Sequence, residues 1–168
     1  MASSSNLILI GMPGAGKSTV GAALAKLSGR VFIDTDALLE ASEKKSLQHI
    51  VDSSGYLALR AIEEKILLGI HCENSVIATG GSAIYSAAAM AHLKLLGTMV
   101  YLKTDLATIK SRINNLATRG IVRRPEQSFA DLFQERTALY ANYADVVIEG
   151  AGLSAAQIAQ KIVDTSTA

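Results

Sequence analysis

The stretch that most constrains the fold is LILIGMPGAGKST, residues 7–19. Its first four residues are apolar and predict a buried strand, and this strand runs directly into a glycine-rich loop. The loop matches G-x-x-x-x-G-K-[ST] through Gly11, Gly16, Lys17 and Ser18, and a helical pattern follows it. A strand, a loop of this kind and a helix place successive backbone N–H groups around an anion. The stretch therefore predicts an α/β fold with a phosphate-binding loop.

The residue types in this loop predict a nucleoside triphosphate and a magnesium ion as ligands. Lys17 reaches the outer phosphates as a point charge, and the hydroxyl of Ser18 is suited to ligate Mg²⁺. A glycine-rich turn that binds nothing is the alternative, and the strand–loop–helix context disfavours it. The candidate nucleotide-binding residues of the loop are Gly11, Gly14, Ala15, Gly16, Lys17, Ser18 and Thr19.

Five short apolar runs predict the strands of one sheet. Most of them are rich in Val and Ile with little alternation, which is typical of strands buried on both faces. Stretches with helical spacing separate the runs, and this alternation predicts a single-domain α/β layered fold with a parallel sheet. The predicted strands are Leu7–Ile10, Val31–Ile33, Val76–Ala78, Met99–Leu102 and Val146–Ile148.

Helices are predicted from apolar stripes and end signals. Gly29 is a helix stop, and Asp105 opens a later helix, where a carboxylate suits the helix dipole. The helix near residue 62 is predicted to bury an isoleucine stripe and to expose its polar positions, Glu63 included. The predicted stripes are Val20, Leu24 and Leu27; Ile62, Ile66 and Ile70; and Phe129, Leu132, Phe133 and Leu139.

Composition and charge exclude several classes of protein. The chain has 168 residues, 49% of them hydrophobic, which is enough for one domain with a sizeable core. Its formal net charge of +1 argues against a general nucleic-acid or membrane-surface role. Cys72 is the only cysteine, which excludes an internal disulfide and fits a reducing compartment. The apolar run before Gly11 is too short for a signal peptide, so we expect a cytoplasmic protein.

The segment VFIDTD places Asp34 and Asp36 at the carboxyl end of the second strand. Ligands of open α/β sheets bind at this end, and residues two apart in an extended segment point the same way. We therefore expect one carboxylate to help hold Mg²⁺ and the other to accept a hydrogen bond from a substrate hydroxyl. The alternative is that Asp36 caps a helix beginning at Ala37, with Asp34 in a turn.

The arginines suggest an anionic acceptor for a phosphoryl group. The chain has seven, and five of them lie between Arg112 and Arg136. Several stand in a loop ahead of a helix, where a mobile lid would carry them over phosphate charge. Arg60 and Arg136 suit two-pronged binding of a carboxylate, whereas Arg112 and Arg30 are assigned to solvated helix faces. The candidate lid arginines are Arg119, Arg123 and Arg124.

Together these motifs resemble the shikimate kinases over nearly the whole chain. The matching segments are GMPGAGKST, DTD, LRAIE for the family's F-R-x-x-E, TGGSA for its three glycines, RRP and ERTALYANYAD. The resemblance implies a P-loop NTPase fold, a three-layer α/β/α sandwich with a five-stranded parallel sheet of order 2-3-1-4-5 and a mobile lid. It implies one kinase domain over residues 1–168, with an acceptor-binding region at about 34–62 and a lid at about 112–127.

The resemblance also implies an activity: ATP-dependent, Mg²⁺-assisted phosphorylation of shikimate to shikimate 3-phosphate, a step of aromatic amino acid biosynthesis. The partner would be a small anionic hydroxylated substrate bound by a monomer, without nucleic acid or membrane. The catalytic residues implied are Lys17, Asp36 and Arg124. Asp36 would contact the acceptor hydroxyls and is the candidate to take the proton.

Other site residues follow from the same resemblance. Arg60 and Arg136 would clamp the acceptor carboxylate, and the backbone of Gly80 and Gly81 would contact the acceptor. The lid arginine on the transferred phosphoryl group would be Arg124, whereas Arg119 would stack near adenine. Asp34 would help Ser18 hold Mg²⁺.

Four positions depart from the family pattern, and all of them reshape the acceptor pocket. Val51 and Leu59 stand where the family carries phenylalanines, and Tyr56 stands where a glutamate is common. Ser82 replaces the third glycine and adds a hydroxyl to the candidate substrate-binding residues. A paralogue that phosphorylates another small polyol, hydroxy acid or amino-alcohol acid therefore stays open as an alternative.

Functions outside this chemistry have weaker support. DSSG, residues 52–55, superficially fits the D-x-x-G of GTPases, but the chain contains no N-K-x-D guanine-reading motif. Three alternative functions are therefore less well supported: a nucleotide-operated switch, a nucleoside monophosphate kinase and a catalytically dead regulatory homologue. The histidines His49, His71 and His92 lack the spacing of metal ligands.

Overall fold

A computed structural model of the protein describes residues 6–113 and 120–166. A five-stranded parallel sheet of order β2-β3-β1-β4-β5 forms its middle layer. The order confirms the expected topology. The strands are β1 Asn6–Ile10, β2 Val31–Asp34, β3 Ser75–Ala78, β4 Gly97–Lys103 and β5 Val146–Glu149.

The helices connect the strands and cover both faces of the sheet. Besides the α-helices, Ala83–Tyr85 forms one turn of 3₁₀-helix directly after β3. The described α-helices are α1 Lys17–Ser28, α2 Thr35–Glu43, α3 Leu47–Ser54, α4 Tyr56–Leu68, α5 Ala87–Leu96, α6 Leu106–Arg112, α7 Phe129–Tyr143 and α8 Ala155–Ser166.

The central strand β1 explains why the core has two halves. All five of its residues are buried, as the continuous apolar run predicts. Successive side chains of a strand point to opposite faces, so Leu7 and Leu9 pack with α1 and α8, whereas Ile8 and Ile10 pack with α4, α5 and α7. The result is the three-layer sandwich.

A smaller apolar cluster lies beside the sheet, where α2, α3 and α4 pack together. Its buried members are Leu39, Ile50, Leu59 and Val122, and Val51 is packed against them. Leu59 and Val51, which replace family phenylalanines, thus contribute to one satellite core next to the carboxyl edge of the sheet.

The predicted elements are confirmed with small shifts of their ends. Asp105 caps α6 by accepting a hydrogen bond from Thr108 N at 2.8 Å, and Gly29 ends α1 with φ 66°. Two burial predictions are wrong. Leu27 is 50% exposed, and the buried positions of α4 are Leu59, Glu63 and Leu67. Of the predicted isoleucine stripe, Ile70 is buried just after the helix, whereas Ile62 and Ile66 are only partly buried. None of the helices in the described ranges is long and apolar enough to cross a membrane.

Candidate active site

A cavity of about 650 Å³ opens at the carboxyl edge of the sheet. Strands β1, β2 and β3 are parallel, so the segments that follow them meet at this edge. The phosphate loop and the polar side chains of the lining, with the glycines after β3, comprise Gly14, Ala15, Gly16, Lys17, Ser18, Thr19, Asp36, Glu63, Thr79, Gly80, Gly81, Ser82, Arg112 and Arg136. The predicted phosphate loop, one predicted acid and one predicted acceptor arginine therefore share one cavity.

The loop after β1 is shaped by glycines in the left-handed region. Gly14 and Gly16 have φ of 84° and 92°, which glycine adopts without steric cost. Lys17 folds back over the loop, where its Nζ donates to Gly11 O at 2.6 Å and to Met12 O at 2.9 Å. Gly11 does not line the cavity, and it contributes through this carbonyl. The loop thus presents backbone and one cation to the cavity.

The charge of Lys17 is controlled by its surroundings. Only 8% of its surface is exposed, and burial lowers the pKa of its ammonium to about 8, against the opposing charge of Asp36. The second carboxylate that favours the charged form belongs to Glu63, while the guanidinium of Arg136 disfavours it. An anion bound in the loop would raise this pKa by supplying the missing negative charge.

Asp34 joins the phosphate loop to α2. Its Oδ2 accepts a hydrogen bond from Ser18 Oγ at 2.8 Å, and its Oδ1 accepts from Asp36 N at 3.0 Å and Ala37 N at 3.3 Å. The helix therefore begins at Thr35 and is capped by Asp34, so the alternative in which Asp36 caps it is wrong. Asp34 does not line the cavity, although it touches Ser18, which does.

The donor set fits a magnesium ion. Hard oxygen ligands from Ser18 and Asp34 lie together beside the loop, at 2.8 Å from each other. Mg²⁺ commonly takes one or two protein oxygens and completes its shell with water and substrate phosphates. No group of three or more His, Cys, Asp or Glu side chains suited to a metal occurs in residues 6–113 and 120–166.

Two carboxylates converge on Gly80. A β-carbon on Gly80 would lie 2.6 Å from Glu63 Oε1 and 2.7 Å from Asp36 Oδ1, so both oxygens approach the bare backbone. Burial raises the pKa of Asp36 to about 6, with Lys17 opposing the shift, and raises the pKa of Glu63 to about 7. The arrangement keeps Asp36 largely ionised at neutral pH within reach of a bound ligand.

Ser82 holds the second of these carboxylates. Its hydroxyl donates to Glu63 Oε2, and this bond opposes the rise in the pKa of Glu63. The other oxygen, Glu63 Oε1, is buried and has no hydrogen-bond partner within the described part of the chain. The serine that replaces the third glycine therefore fixes a carboxylate whose other oxygen lies against the backbone of Gly80.

Arg136 supplies a buried cation beside Gly81. The residue is fully buried, and its Nη2 donates to Val122 O, whereas its Nε and Nη1 have no partner among the residues that the structure covers. A β-carbon on Gly81 would lie 2.8 Å from Nη1, and Gly81 O accepts a hydrogen bond from Tyr140 OH at 2.5 Å. Unpaired N–H groups next to bare backbone suit an anionic ligand.

Arg60 does not line the main cavity. It borders a second cavity of about 120 Å³ that shares Glu63 and Ser82 with the first. Its guanidinium carbon lies 3.8 Å from the centroid of the Tyr85 ring and 5.4 Å from that of Tyr56. Of the two predicted acceptor arginines, Arg136 therefore lines the main cavity and Arg60 lines the adjoining one.

The two candidate lid arginines that the structure describes, Arg123 and Arg124, do not line the cavity. Arg124 Nη2 pairs with Glu135 Oε2 at 3.1 Å. Arg123 Nη1 donates to Gln127 O at 3.2 Å. Arg119 lies outside the described residues. The phosphate and adenine contacts of Arg124 and Arg119 therefore stay predictions.

Sequence reasoning missed two residues at the cavity. The pattern of α4 predicts that Glu63 is on the exposed polar face. Its spacing of four residues from both Leu59 and Leu67 is the signal that could have identified it as part of the buried stripe. Arg112 is exposed, as expected, but its Nη1 also donates to Gly14 O at 3.1 Å over the phosphate loop. Its position at the end of α6 gave no such indication.

Comparison with known proteins agrees with this geometry. The family model described as shikimate kinase matches residues 13–167. The shikimate kinase of Halorhodospira halophila is 37% identical over 163 residues, which cover 95% of this chain and 92% of that protein. The enzyme of Histophilus somni is 34% identical over 168 residues, with coverage of 98% and 96%.

Solved structures agree in fold and length. The shikimate kinase from Acinetobacter baumannii in complex with shikimate superposes with a TM-score of 0.88 at 34% identity, covering 97% of this chain and 93% of that one. The shikimate kinase from Aquifex aeolicus superposes with a TM-score of 0.84 at 28% identity, covering 96% of each chain. Family match, relatives and superposition all span nearly the entire length, and this chain belongs to the shikimate kinase family.

Proposed function

We propose that the protein transfers the γ-phosphoryl group of ATP to a hydroxyl of shikimate, giving shikimate 3-phosphate. The observation that carries the proposal is the single cavity of about 650 Å³ on which Lys17, Asp36 and Arg136 converge. A cation beside a phosphate loop, a carboxylate and a second buried cation are what phosphoryl transfer to a hydroxylated carboxylate requires. The shikimate bound to the similar Acinetobacter baumannii enzyme supports the choice of acceptor.

The nucleotide side is supplied by the loop after β1. Backbone N–H groups of Gly14 to Thr19 surround the phosphates, and Lys17 exchanges its bonds to the loop carbonyls for the outer phosphates. Ser18 and Asp34 would hold Mg²⁺, which neutralises phosphate charge when bound. Arg124 and Arg119, in a lid at about 112–127, complete the charge stabilisation and the adenine contact in this proposal.

The acceptor side is supplied by the region of about 34–62 and the glycines after β3. Asp36 orients the attacking hydroxyl and accepts its proton, because a carboxylate with a pKa of about 6 is ionised at neutral pH. The unpaired N–H groups of Arg136 bind the acceptor carboxylate beside Gly81, and Arg60 reinforces them from the adjoining cavity. Gly80 allows the acceptor to approach both carboxylates.

A different acceptor is the second candidate, and the contact of Ser82 with Glu63 favours it. This hydroxyl reshapes the wall next to Gly80, and Leu59 stands there in place of a family phenylalanine. We also propose that the enzyme is a cytoplasmic monomer that handles a small anionic substrate. The single cysteine supports a reducing compartment, and the net charge of +1 argues against a nucleic-acid or membrane-surface partner.

The decisive experiment is a panel of hydroxy acids, polyols and amino-alcohol acids with Mg-ATP, scored by ADP release. We expect the largest kcat/KM for shikimate and slow ATP hydrolysis without an acceptor, because the closed site excludes water. A flat response to shikimate beside a strong response to another compound would move the assignment to the second candidate. GTP in place of ATP provides the control against a nucleotide-operated switch.

A further inference from the structure

Tyr85 lies between the two acceptor arginines, and nothing in the proposed function uses it. It ends the 3₁₀ turn after Ser82, is partly buried and packs against the main core. Its ring centroid lies 3.8 Å from the guanidinium carbon of Arg60 and 5.4 Å from that of Arg136. Both distances fall within the range in which an aromatic ring attracts a cation.

Both arginines lack a carboxylate partner. No ion pair in the described part of the chain includes Arg60 or Arg136. Nε of each and Nη1 of Arg136 are buried without a hydrogen bond to any described residue. A guanidinium with buried N–H groups and no carboxylate within ion-pair distance needs a further source of stabilisation. The ring of Tyr85 provides it without neutralising the charge, so the N–H groups stay available for a substrate carboxylate.

The hydroxyl of Tyr85 extends this contact to Glu135 on α7. It donates to Glu135 Oε1 at 2.6 Å. The second oxygen, Glu135 Oε2, accepts from Arg124 Nη2 at 3.1 Å and from Gln127 Nε2 at 3.0 Å. This hydrogen bond from Tyr85 is the largest cause that holds the pKa of Glu135 below its usual range. One carboxylate therefore touches both the tyrosine and the lid arginine.

We propose that Tyr85 is a positioning residue of the acceptor site: its ring holds Arg60 and Arg136 for the substrate carboxylate, and its hydroxyl links them through Glu135 to Arg124. The proposal rests on the proposed function. It follows that the ring and the hydroxyl have separable effects. Loss of the ring weakens acceptor binding, whereas loss of the hydroxyl alone weakens the link to the lid.

The test uses steady-state kinetics of the full chain with Mg-ATP and shikimate. We expect Tyr85→Leu to raise the KM for shikimate about tenfold or more while the KM for ATP stays within about threefold. Tyr85→Phe keeps the ring and should leave the KM for shikimate within about threefold. Tyr85→Met, with a flexible apolar side chain, serves if the leucine variant does not fold, and the same rise is expected.

Tyr143→Leu is the matched control, because Tyr143 is also partly buried and packs against the same core. It should leave the KM for shikimate unchanged. The link to the lid is measured by a double-mutant cycle of Tyr85→Phe and Glu135→Gln on kcat, in which we expect the two effects to be non-additive.

The outcomes separate the two proposals. An active wild type whose KM for shikimate is unchanged by Tyr85→Leu, or raised equally by Tyr143→Leu, overturns the role of Tyr85 alone. Additive effects in the cycle overturn the link through Glu135. A wild type that binds Mg-ATP but does not phosphorylate shikimate overturns the proposed function, and the role of Tyr85 with it.

Discussion

Asp36 is the residue on which the proposed chemistry depends most directly. Its carboxylate lies beside Gly80, its pKa is raised by burial to about 6, and Lys17 keeps it from rising further. It is therefore ionised at neutral pH yet basic enough to accept a proton from a hydroxyl. The same environment makes it sensitive to mild acid.

We expect Asp36→Asn to lower kcat roughly a hundredfold or more, because the amide cannot accept the proton. In the wild type, activity should fall as the pH drops through about 6, where Asp36 becomes protonated. Both effects are measured by steady-state rates across pH 5 to 8. Asp131→Asn, at an exposed position of α7, is the control and should retain wild-type rates. An active Asp36→Asn enzyme would show that another group takes the proton.

Gly80 matters through the space that it leaves. A β-carbon there would lie 2.6 Å from Glu63 Oε1 and 2.7 Å from Asp36 Oδ1, which no real β-carbon tolerates. Gly80→Ala must displace both carboxylates, and we expect kcat/KM for shikimate to fall roughly a hundredfold, since catalysis depends on ångström-scale positioning. Binding of Mg-ATP, measured by calorimetry, should change little.

Gly69→Ala is the matched control for this glycine. Gly69 has φ −82°, and its β-carbon would meet nothing closer than Ile66 O at 3.4 Å. The control should keep wild-type kinetics. Equal losses in both variants would mean that the defect is in folding rather than in the site.

At the scale of elements, the strands and the phosphate loop could be predicted because their signals are local. The run from Leu7 to Ile10 needs no partner to be identified as a buried strand, and the glycines that follow it define the loop. The buried face of helix α4 could not be predicted in the same way, because a charged residue such as Glu63 normally indicates an exposed position. Glu63 is buried because Ser82, which is 19 residues away in sequence, packs against it and donates a hydrogen bond to its carboxylate.

The arginines illustrate a second limit of sequence reasoning. Arg136 could be predicted at the site, but the position of Arg60 depends on Tyr85, which belongs to the segment after β3. Likewise, Arg124 meets Glu135 because the segment before α7 folds back over that helix. Contacts of this kind are tertiary, and only the assembled fold determines them.

Asn6 connects three elements at the opposite edge of the sheet. Its Nδ2 donates to Cys72 O at 2.9 Å and Leu96 O at 3.0 Å, and its Oδ1 accepts from Ser75 N at 2.9 Å. Its side chain thus satisfies three backbone groups around the starts of β1, β3 and β4, and the residue is only 1% exposed. Removing it would leave these groups without partners.

We expect Asn6→Ala to lower the free energy of unfolding by about 2–4 kcal/mol, because buried polar groups lose their hydrogen bonds. Chemical denaturation gives this value directly. Asn142→Ala, at an exposed position of α7, should change it by less than about 0.5 kcal/mol. The site lies at the other end of the strands, so the KM values should stay at wild-type level. A change in KM without a loss of stability would contradict this structural role.

For the whole molecule, the site is a concentration of buried charge that the fold must stabilise. Glu63 has a pKa of about 7 in the folded protein, raised by burial from its usual 4.5. Between these two values the folded state binds a proton that the unfolded state has already released. The free energy of unfolding attributable to Glu63 therefore falls as the pH rises from about 4.5 to about 7, and the cost of the site is largest above that window.

Glu63→Gln removes this titration, and the amide oxygen can still accept the hydrogen bond from Ser82. We expect the variant to gain stability relative to wild type by up to about 3 kcal/mol between pH 4 and pH 8. Denaturation at a series of pH values measures the gain, and ending at pH 8 limits interference from Lys17, whose pKa is lowered by burial to about 8. Glu43→Gln, exposed at the end of α2, is the control and should show no such gain. Parallel stability curves for wild type and Glu63→Gln would mean that Glu63 titrates as an ordinary carboxylate, and that the acceptor wall carries less buried charge than its geometry indicates.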